Sequence, residues 1–236
     1  MPLTSGEALR QAAVRIGMTD ARVLLCHVLG CSHASLIAHP ERSLGDAQSA
    51  FLELVARREH GVPVAYLTGT REFYSREFRV TSAVLIPRPE TELLVELGLQ
   101  RLPTDTDSLV LDLGTGSGCI AVTIALERPR STVVAVDASQ DALSVASENA
   151  RRLNATRVQC RPGDWYDTID SERFDLIVSN PPYVAEGDPH LQSGDVRFEP
   201  ATALVAGKDL TAAGFTNVET WPDLAGIGRV TGARLD

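Results

Sequence analysis

The stretch FDLIVSNPPY, from Phe174 to Tyr183, constrains the fold more than any other part of the sequence. It opens with a short apolar run bounded by prolines, which predicts a strand buried on both faces rather than a helix. The strand has to end at Asn180, because Pro181 lacks an amide hydrogen and Pro182 restricts the backbone of the residue before it. We therefore expect the chain to leave a sheet here in a stiff turn.

This turn suits the binding of a planar group that bears an NH2. It presents the Asn180 side-chain amide, backbone carbonyls that have no ladder partner, and the ring of Tyr183. A carboxamide or the exocyclic amine of a nucleic-acid base fits such a site. An NPP sequence taken alone is more simply a strand that ends in a proline turn, so other parts of the chain have to decide between the two interpretations.

A second constraining pattern lies upstream. An apolar run at 109–113 leads into the sequence DLGTGSG, and apolar residues at helical spacing follow it. The pattern predicts a strand, a glycine turn and a helix. Glycines let a backbone approach a ligand closely, and the free amides at a helix start favour an anionic group such as a carboxylate. The spacing is GxGxG, which departs from the GxGxxG of dinucleotide sites.

Two further strands end in polar residues. The run Thr132 to Val136 predicts a strand that ends at Asp137, whose carboxylate can accept hydrogen bonds from both hydroxyls of a ribose. A strand near 157–161 leads to Asp164, which can meet an adenine amino group, and to Trp165, which can pack near the ring. Trp165 alone is more simply an ordinary half-buried aromatic residue.

The order of these units predicts the architecture. Because polar residues follow successive strands, we expect a doubly wound, mostly parallel α/β sheet of the Rossmann-like type, with its ligand crevice at the carboxyl ends of the strands. The sequence predicts a helical bundle over residues 1–70, a hairpin linker over 71–86 and the sheet domain over 87–236. Pro89 is expected in the first turn of a helix that follows the linker.

Composition excludes several classes of protein. The formal net charge is -9, which disfavours nucleic acid as a partner. The four cysteines form no CxxC pair and the five histidines show no ligand spacing, so we predict no metal site and reduced, mostly buried thiols. The sequence has neither a membrane-spanning run nor the pattern of a signal peptide, and we expect a cytoplasmic protein without membrane association.

The motifs in combination resemble a known family. IPRPETE, DLGTGSG, a strand that ends in Asp137, GDW, IVSNPPY and FEPATAL follow one another in this order over nearly the whole chain. The sequence is similar to the HemK/PrmC family, the N5-glutamine methyltransferases of peptide-chain release factors, which belong to the class I S-adenosylmethionine-dependent methyltransferases. In such proteins the helical N-terminal part helps to dock the release factor.

The resemblance implies a reaction and a set of site residues. It implies transfer of a methyl group from S-adenosylmethionine to the side-chain amide nitrogen of the glutamine in the GGQ motif of class I release factors, with S-adenosylhomocysteine as the product. It places the cofactor against Gly114, Thr115, Gly116, Ser117, Gly118, Asp137, Asp164, Trp165 and Asn180. It places the substrate against Asn180, Pro181, Pro182 and Tyr183, with Asn180, Pro181 and Tyr183 in the catalytic roles.

The chain departs from the family after the FEP segment. Family members continue through a helix, a fifth strand and another helix, whereas here Leu210 runs directly into Thr211. We expect that segment to be missing and residues 215–223 and 228–235 to form the last two strands. The chain is then expected to be less stable than a full-length relative, with weak or absent activity. It should also either self-associate or pair the 218–235 hairpin directly against the strand before Asn180.

Three alternatives remain open on the sequence alone. An amino-methyltransferase acting on adenine or cytosine could use the same turn, because a flipped base offers the same NH2 geometry to it. The acidic charge of the chain counts against this alternative. A nicotinamide-dependent oxidoreductase would leave the NPPY turn without a role. A catalytically impaired cofactor-binding protein would follow from the missing segment. Binding of S-adenosylhomocysteine without binding of NAD separates the methyltransferases from the oxidoreductase, and the impaired protein need bind neither.

Overall fold

A computed structural model describes residues 3–167, 169, 172–182, 184, 187–192, 194–204, 216–222 and 228–234. The chain divides into two compact units. The first, called here the helical unit, comprises residues up to Thr70 together with Ser193–Phe198. The second, called the sheet unit, comprises Arg71–Gln192 and the chain from Glu199 onward.

Within its described residues the helical unit contains the helices α1 Ser5–Ile16, α2 Met18–Leu29, α3 His33–Ala38, α4 Ala47–Glu59 and α5 Val64–Thr68. Their apolar faces meet in a core that includes Leu24, Leu25, Phe51 and Val55, all with no exposed surface. These helices lie within the range 1–70 over which the sequence predicts a helical bundle. The helices α3 and α5 have six and five residues, which is too short for a helical period to be read from the sequence.

The helical unit also holds a segment from far along the sequence. The Arg58 guanidinium donates to Asp20 at 2.6 Å and to Asp195 at 2.8 Å. Arg197 donates to the carbonyl oxygen of His60 at 2.8 Å, and its guanidinium carbon lies 4.8 Å from the centre of the Phe198 ring. Nothing in the sequence pattern predicts this association, because it depends on charged pairs that are distant in sequence.

A hairpin and a helix precede the main sheet. Strands β1 Thr70–Phe73 and β2 Arg76–Arg79 form the hairpin, and α6 spans Thr91–Arg101. The sequence predicts Pro89 in the first turn of α6, but Pro89 lies before the N-cap residue Glu90. Its carbonyl oxygen accepts from the amide of Glu92 at 3.0 Å, so residues 88–92 form a turn that delays the helix.

The main sheet is built from β3 Leu109–Leu113, β4 Thr132–Asp137, β5 Val158–Pro162 and β6 Leu176–Ser179, with α7 Cys119–Glu127 and α8 Gln140–Arg152 between the first three strands. All four strands are parallel, in the order β5-β4-β3-β6. The α/β architecture predicted from the sequence is confirmed. The order of the strands reverses between β3 and β6, and a ligand crevice is expected at such a switch point.

The side chains of the sheet alternate between two cores. Val110 and Val133 pack with α6, α7 and α8 on one face. Leu111 and Val134 point to the other face, where Trp165, Ile169 and Phe174 pack against them. Both faces of β3 and β4 are therefore buried, as the continuous apolar runs predict.

Strand β6 is covered less completely than β3 and β4. Val178 is buried, but Ile177 on the opposite face keeps 43% of its surface exposed. Within the described residues β6 pairs only with β3, so its other edge forms no strand ladder there. A strand edge of this kind is a site at which other chains can associate.

The last two strands, β7 Thr216–Pro222 and β8 Gly228–Arg234, pair with each other in an antiparallel sheet of their own. Of the two outcomes predicted for the shortened chain, pairing of this hairpin with β6 is therefore wrong, and self-association stays a prediction. Consecutive strands satisfy each other's backbone groups through a short loop, and this local pairing does not require the hairpin to reach the edge of β6. The predicted break between Leu210 and Thr211 lies outside the described residues.

The burial of the cysteines differs in part from the prediction of mostly buried thiols. All four are free thiols, but only Cys119 is buried, whereas Cys26, Cys31 and Cys160 are partly exposed. The three lie at the ends of helices or on the outermost strand β5, where packing is incomplete.

In the described part of the chain, every helix is too short or too polar to cross a membrane.

Candidate functional site

The glycine turn after β3 and the proline turn after β6 lie side by side at the switch point of the sheet. The two strands are parallel and adjacent, so their carboxyl ends meet at the same edge. The Ser179 hydroxyl donates to the carbonyl oxygen of Leu113 at 2.9 Å, which ties the two strand ends together. The fold therefore brings together the two sequence motifs that predict ligand binding.

The residues Asp112–Gly118, called here the glycine loop, present an open backbone surface. Gly114, Gly116 and Gly118 have φ angles of 70°, 54° and 78°. A Cβ built on Gly114 would meet no atom within 4 Å, and one on Gly116 would meet only the Gly114 carbonyl oxygen at 4.0 Å. The loop thus has room on its outer side for a ligand, as a carboxylate bound at the start of α7 requires.

Gly118 serves packing rather than ligand access. A Cβ at this position would lie 3.0 Å from the Cβ of Ala146 on α8. Only a glycine allows the loop to approach the helix this closely, and its positive φ adds strain to any substitution.

Asp137 is fixed by backbone amides from two elements. Its Oδ2 accepts from the amide of Gly116 at 2.9 Å and its Oδ1 from the amide of Ser139 at 2.9 Å. Each carboxylate oxygen has a further lone pair, so the side chain can still accept from a ligand hydroxyl. The carboxylate therefore has a fixed orientation and remains partly exposed, which suits the predicted contact with a ribose.

The glycine loop begins with a buried acid that the sequence analysis gives no role. Asp112 has no exposed surface, and the Thr115 hydroxyl donates to its Oδ2 at 2.7 Å. Burial raises the pKa of Asp112 to about 7, and the Thr115 hydrogen bond opposes this increase. Oδ1 has no hydrogen-bond partner among the described residues. The sequence signal for this residue is an acid that lies within a glycine motif directly after an apolar run. Such an acid could have been predicted to be buried.

The turn after β5 brings two more predicted residues to the same edge. The amide of Gly163 donates to the carbonyl oxygen of Asp137 at 3.1 Å, so the ends of β4 and β5 are adjacent. Asp164 follows and is exposed, while Trp165 is half-buried with a φ of 56° and packs against the core of the second sheet face. The ordinary structural interpretation of Trp165 describes this packing, and its predicted contact with an adenine stays a prediction.

The proline turn makes few hydrogen bonds among the residues that the structure describes. The Asn180 amide donates to the Thr91 hydroxyl at 3.5 Å, which is at the limit of hydrogen bonding. Pro181 and Pro182 are partly buried, and the amide of Val184 donates to the carbonyl oxygen of Leu204 at 2.9 Å. The predicted role of Tyr183 lies outside the described residues.

A buried glutamate joins the motifs behind this turn. Glu199, in the FEP segment, is 6% exposed and accepts from the amide of Ile86 at 3.1 Å and from the Arg88 guanidinium. The IPRPETE turn, which alone is most simply a capped helix start, therefore contacts both FEP, through Glu199, and the NPP turn, through Thr91. The sequence analysis names these motifs but assigns no role to Glu199 or Arg88.

Within the described residues, no group of three or more histidine, cysteine, aspartate or glutamate side chains is placed to hold a metal ion. The polar groups at the strand ends are carboxylates, hydroxyls, backbone amides and the Asn180 amide. This set can bind an amino acid carboxylate, hydroxyls and a planar amide.

Two family models match the chain. The methyltransferase small domain matches residues 90–207, and the PrmC N-terminal domain matches residues 5–69. The first match covers half of the chain and contains the glycine loop, Asp137 and the proline turn.

Proteins named release factor glutamine methyltransferase are similar over most of their length. The protein from Xylella fastidiosa strain 9a5c is 51% identical over 85% of this chain and 74% of the relative. The protein from Escherichia coli strain K12 is 50% identical over 79% of this chain and 68% of the relative. The protein from Burkholderia pseudomallei strain K96243 is 44% identical over 99% of this chain and 97% of the relative.

The alignment with the Burkholderia pseudomallei protein also measures a length difference. It runs over 278 residues, whereas this chain has 236, so at least 42 residues of the relative have no counterpart here. Because the alignment includes nearly all of both chains, these residues are absent from the interior of the aligned region.

Solved structures match smaller parts of the chain. A ribosomal protein L11 methylase from Lactobacillus delbrueckii subsp. bulgaricus is 31% identical, with a TM-score of 0.34, over 39% of this chain and 46% of that chain. A putative transferase from Pyrococcus horikoshii is 18% identical, with a TM-score of 0.41, over 50% of this chain and 43% of that chain.

Proposed function

Because the chain belongs to the release factor glutamine methyltransferase family, we propose that the methyl donor and the substrate glutamine meet between the glycine loop and the NPP turn. The protein is an S-adenosylmethionine-dependent methyltransferase that acts on a glutamine of a release factor. The observation that carries the proposed site is the hydrogen bond from Ser179 to the Leu113 carbonyl, which joins the ends of the two strands.

The donor side, defined as the glycine loop with Asp137, fits S-adenosylmethionine. The open backbone at Gly114 and Gly116 leaves room for the carboxylate of the methionine part, and the start of α7 favours its negative charge. Asp137 can accept from the ribose hydroxyls, and Asp164 and Trp165 follow the adjacent strand, where they can border the adenine. We propose that Thr115, Ser117 and Gly118 contribute through the conformation of the loop.

The acceptor side, defined as β6 and the NPP turn with Thr91, Arg88 and Glu199, has to activate an amide. An amide nitrogen is a poor nucleophile because its lone pair is shared with the carbonyl group. Bound S-adenosylmethionine supplies an electrophilic methyl group. The side-chain oxygen of Asn180 and the carbonyl of Pro181 can accept from the two N–H groups of the glutamine, and these bonds strengthen as positive charge develops on nitrogen.

Orientation is the main contribution of such a site. Holding the glutamine nitrogen in line with the methyl group can supply about 7–11 kcal/mol of the barrier reduction without a metal ion. Pro181 and Pro182 restrict the backbone of the turn, and the buried Glu199 supports the adjacent IPRPETE segment. We propose that Pro182 and Tyr183 complete the binding of the substrate amide, as the family resemblance implies.

We further propose the identity of the partner and of the modified residue. The substrate is the glutamine of the GGQ motif in class I release factors, and the helical unit contributes to docking the factor. The relatives' names support a release factor as the substrate. A cytoplasmic location follows from this substrate, since release factors act on translating ribosomes.

The alternatives have less support. The names of the relatives specify glutamine rather than a nucleic-acid base. The net charge of -9 also opposes binding to a phosphate backbone. A nicotinamide-dependent oxidoreductase has no use for the NPP turn.

We propose that the residues without counterpart belong between Leu210 and Thr211, where the family carries its fifth strand and flanking helices. The match to the methyltransferase small domain ends at residue 207, close to this point. The incomplete cover of Ile177 and the single partner of β6 among the described residues agree with a missing neighbour strand. The domain arrangement is then a helical bundle over 1–70, a linker over 71–86 and a shortened methyltransferase domain over 87–236.

Calorimetric titration tests the proposed cofactor site. We expect saturable binding of S-adenosylhomocysteine and no binding of NAD. Binding of NAD alone, or of neither compound, would contradict the assignment. Asp164→Ala should weaken the binding less than Asp137→Ala, because Asp164 is exposed and Asp137 is fixed by two amides.

A further inference from the structure

Asn149 on α8 is fully buried, and both the oxygen and the nitrogen of its side-chain amide make hydrogen bonds. Its Oδ1 accepts from the amide of Arg79 at 2.7 Å, and its Nδ2 donates to the carbonyl oxygen of Arg79 at 2.9 Å. The second hydrogen of Nδ2 is directed to the carbonyl oxygen of Ser117 at 2.8 Å. Three backbone groups from two distant segments therefore depend on one side chain that has no exposed surface.

The two segments have different functions. Arg79 is the last residue of β2, in the hairpin that precedes the sheet domain. Ser117 lies in the glycine loop, directly before Gly118. Gly118 packs against Ala146, which lies one turn before Asn149 on α8. Helix α8 thus touches the end of the loop at two successive turns, through Ala146 and through Asn149.

We infer that Asn149 is a positioning residue for S-adenosylmethionine binding, which acts through its hydrogen bond to Ser117 of the glycine loop. The inference rests on the proposed function, because it assigns the glycine loop to the cofactor. The hydrogen bond to Ser117 fixes the loop where the chain turns into α7, and that turn sets the direction of the free amides at the helix start. Loss of this bond allows those amides to move away from the carboxylate of the ligand.

Burial makes the loss of this bond expensive. Without the Asn149 amide, the buried carbonyl group of Ser117 and the partly buried N–H and carbonyl groups of Arg79 would lose a hydrogen-bond partner. A buried unpaired group is costlier than an exposed one. The loop is the part that can respond, because Gly114 and Gly116 tolerate many backbone conformations. A shift in the loop is therefore expected in addition to any loss of stability.

Glu148 provides a matched control on the same helix. Its carboxylate binds the Arg79 side chain at 2.6 and 2.7 Å, so it also fastens β2 to α8. The structure gives Glu148 no hydrogen bond to the glycine loop. Glu148→Ala therefore loosens the hairpin while leaving the bond to Ser117 in place.

The experiment compares Asn149→Asp, Asn149→Leu and Glu148→Ala with the wild-type chain. Asn149→Asp keeps an acceptor for the Arg79 amide but loses the donors to Ser117 and Arg79, and Asn149→Leu loses all three bonds. The dissociation constant of S-adenosylhomocysteine is measured by calorimetry well below the melting temperature of each variant. Hydrogen exchange of the amides at residues 114–119 is measured in the absence of ligand.

We expect each Asn149 variant to bind S-adenosylhomocysteine about tenfold more weakly, which corresponds to the loss of one good hydrogen bond. The amides of residues 114–119 should exchange faster in these variants, and Glu148→Ala should match the wild type in both measurements. Wild-type affinity and exchange in Asn149→Asp, with only a lower melting temperature, would show that the residue is merely structural. If Asn149→Leu does not fold, Asn149→Asp decides the outcome.

The proposed function can fail separately. If the wild-type chain does not bind S-adenosylhomocysteine, the cofactor assignment is wrong whatever the variants do. In that case unchanged exchange at residues 114–119 in the Asn149 variants would also show that Asn149 does not fix the glycine loop. Faster exchange would show that Asn149 fixes the loop, but this effect would have no relation to cofactor binding.

Discussion

The donor and acceptor sides of the site are held in very different ways. On the donor side, Asp112, Asp137 and Asn149 each make hydrogen bonds of 2.7–2.9 Å to the glycine loop, and the strands behind it are buried on both faces. On the acceptor side, the Asn180 side chain makes one hydrogen bond to another described residue, at 3.5 Å, and β6 exposes Ile177. The proposed cofactor site is therefore preorganised, whereas the proposed acceptor site depends on neighbours outside its own strand.

This difference indicates where the segment that we propose to be missing after Leu210 would act. A strand beside β6 and the helices flanking it would cover Ile177 and restrain the NPP turn, but they would add nothing to the bonds of the glycine loop. Loss of the segment is expected to damage methyl transfer more than cofactor binding. The predictions below separate the two sides in this way.

The largest effect is expected from Asn180→Ala. The substitution removes the side-chain oxygen proposed to orient the glutamine amide, so turnover should fall by about a hundredfold or more. The affinity for S-adenosylhomocysteine should stay largely unchanged. Single-turnover rates and calorimetry on the same preparations measure both, and wild-type turnover on a release factor would refute the role.

A family-like insert after Leu210 should act on the acceptor side almost as strongly. We expect the lengthened chain to melt at a higher temperature and to self-associate less, because the β6 edge gains a partner. Turnover should rise by up to about a hundredfold, since misplacement of reacting groups by about 1 Å has that cost. Thermal melts, light scattering and turnover measure these changes. Equal values for the two chains would show that the segment is dispensable.

Asp137→Ala tests the donor side. The variant loses the carboxylate that can accept from the ribose hydroxyls and that holds the Gly116 amide. Cofactor binding should weaken by about 1.5–3 kcal/mol. Unchanged affinity in a calorimetric titration would contradict the assignment of Asp137.

Glu199→Gln should lower turnover without changing cofactor affinity, and the effect should be smaller than that of Asn180→Ala. The variant keeps an acceptor for the Ile86 amide but loses the charge that pairs with Arg88, so the IPRPETE turn beside Asn180 loosens. We expect turnover to fall about tenfold and cofactor affinity to stay constant. Glu172→Gln, which removes an exposed pair with Arg161, is the matched control and should change neither. Equal turnover in the two variants would mean that Glu199 has no effect on the acceptor side.

The smallest effect concerns the pH dependence of stability. Burial raises the pKa of Asp112 from 3.8 to about 7, so between these values the folded chain holds a proton that the unfolded chain has lost. This contribution to stability is complete below the lower value and is lost as the pH rises through about 7. Asp112→Asn should therefore gain stability relative to the wild type as the pH rises across this window. Parallel melting curves of the two proteins at all pH values would contradict this prediction.

The sequence predicts the elements whose side chains follow a regular period or a local motif. The parallel strands, the glycine loop and Asp137 are of this kind, because apolar runs and glycines determine them locally. The pairing of the last hairpin with β6 is wrongly predicted, since its two consecutive strands satisfy each other's backbone groups instead. Neither Glu199 nor Asn149 is predicted as a site residue, because each acts through partners 30 or more positions away.

Mass spectrometry of a class I release factor after incubation with this chain and S-adenosylmethionine tests the central claim most directly. The chain is used at a concentration similar to that of the factor, so that slow transfer is also detected. We predict one added methyl group on the glutamine of the GGQ motif, formed much more slowly by Asn180→Ala. A methyl group on another residue would contradict the assignment of the acceptor side. So would no methylation by either this chain or the chain lengthened after Leu210 when both bind S-adenosylhomocysteine.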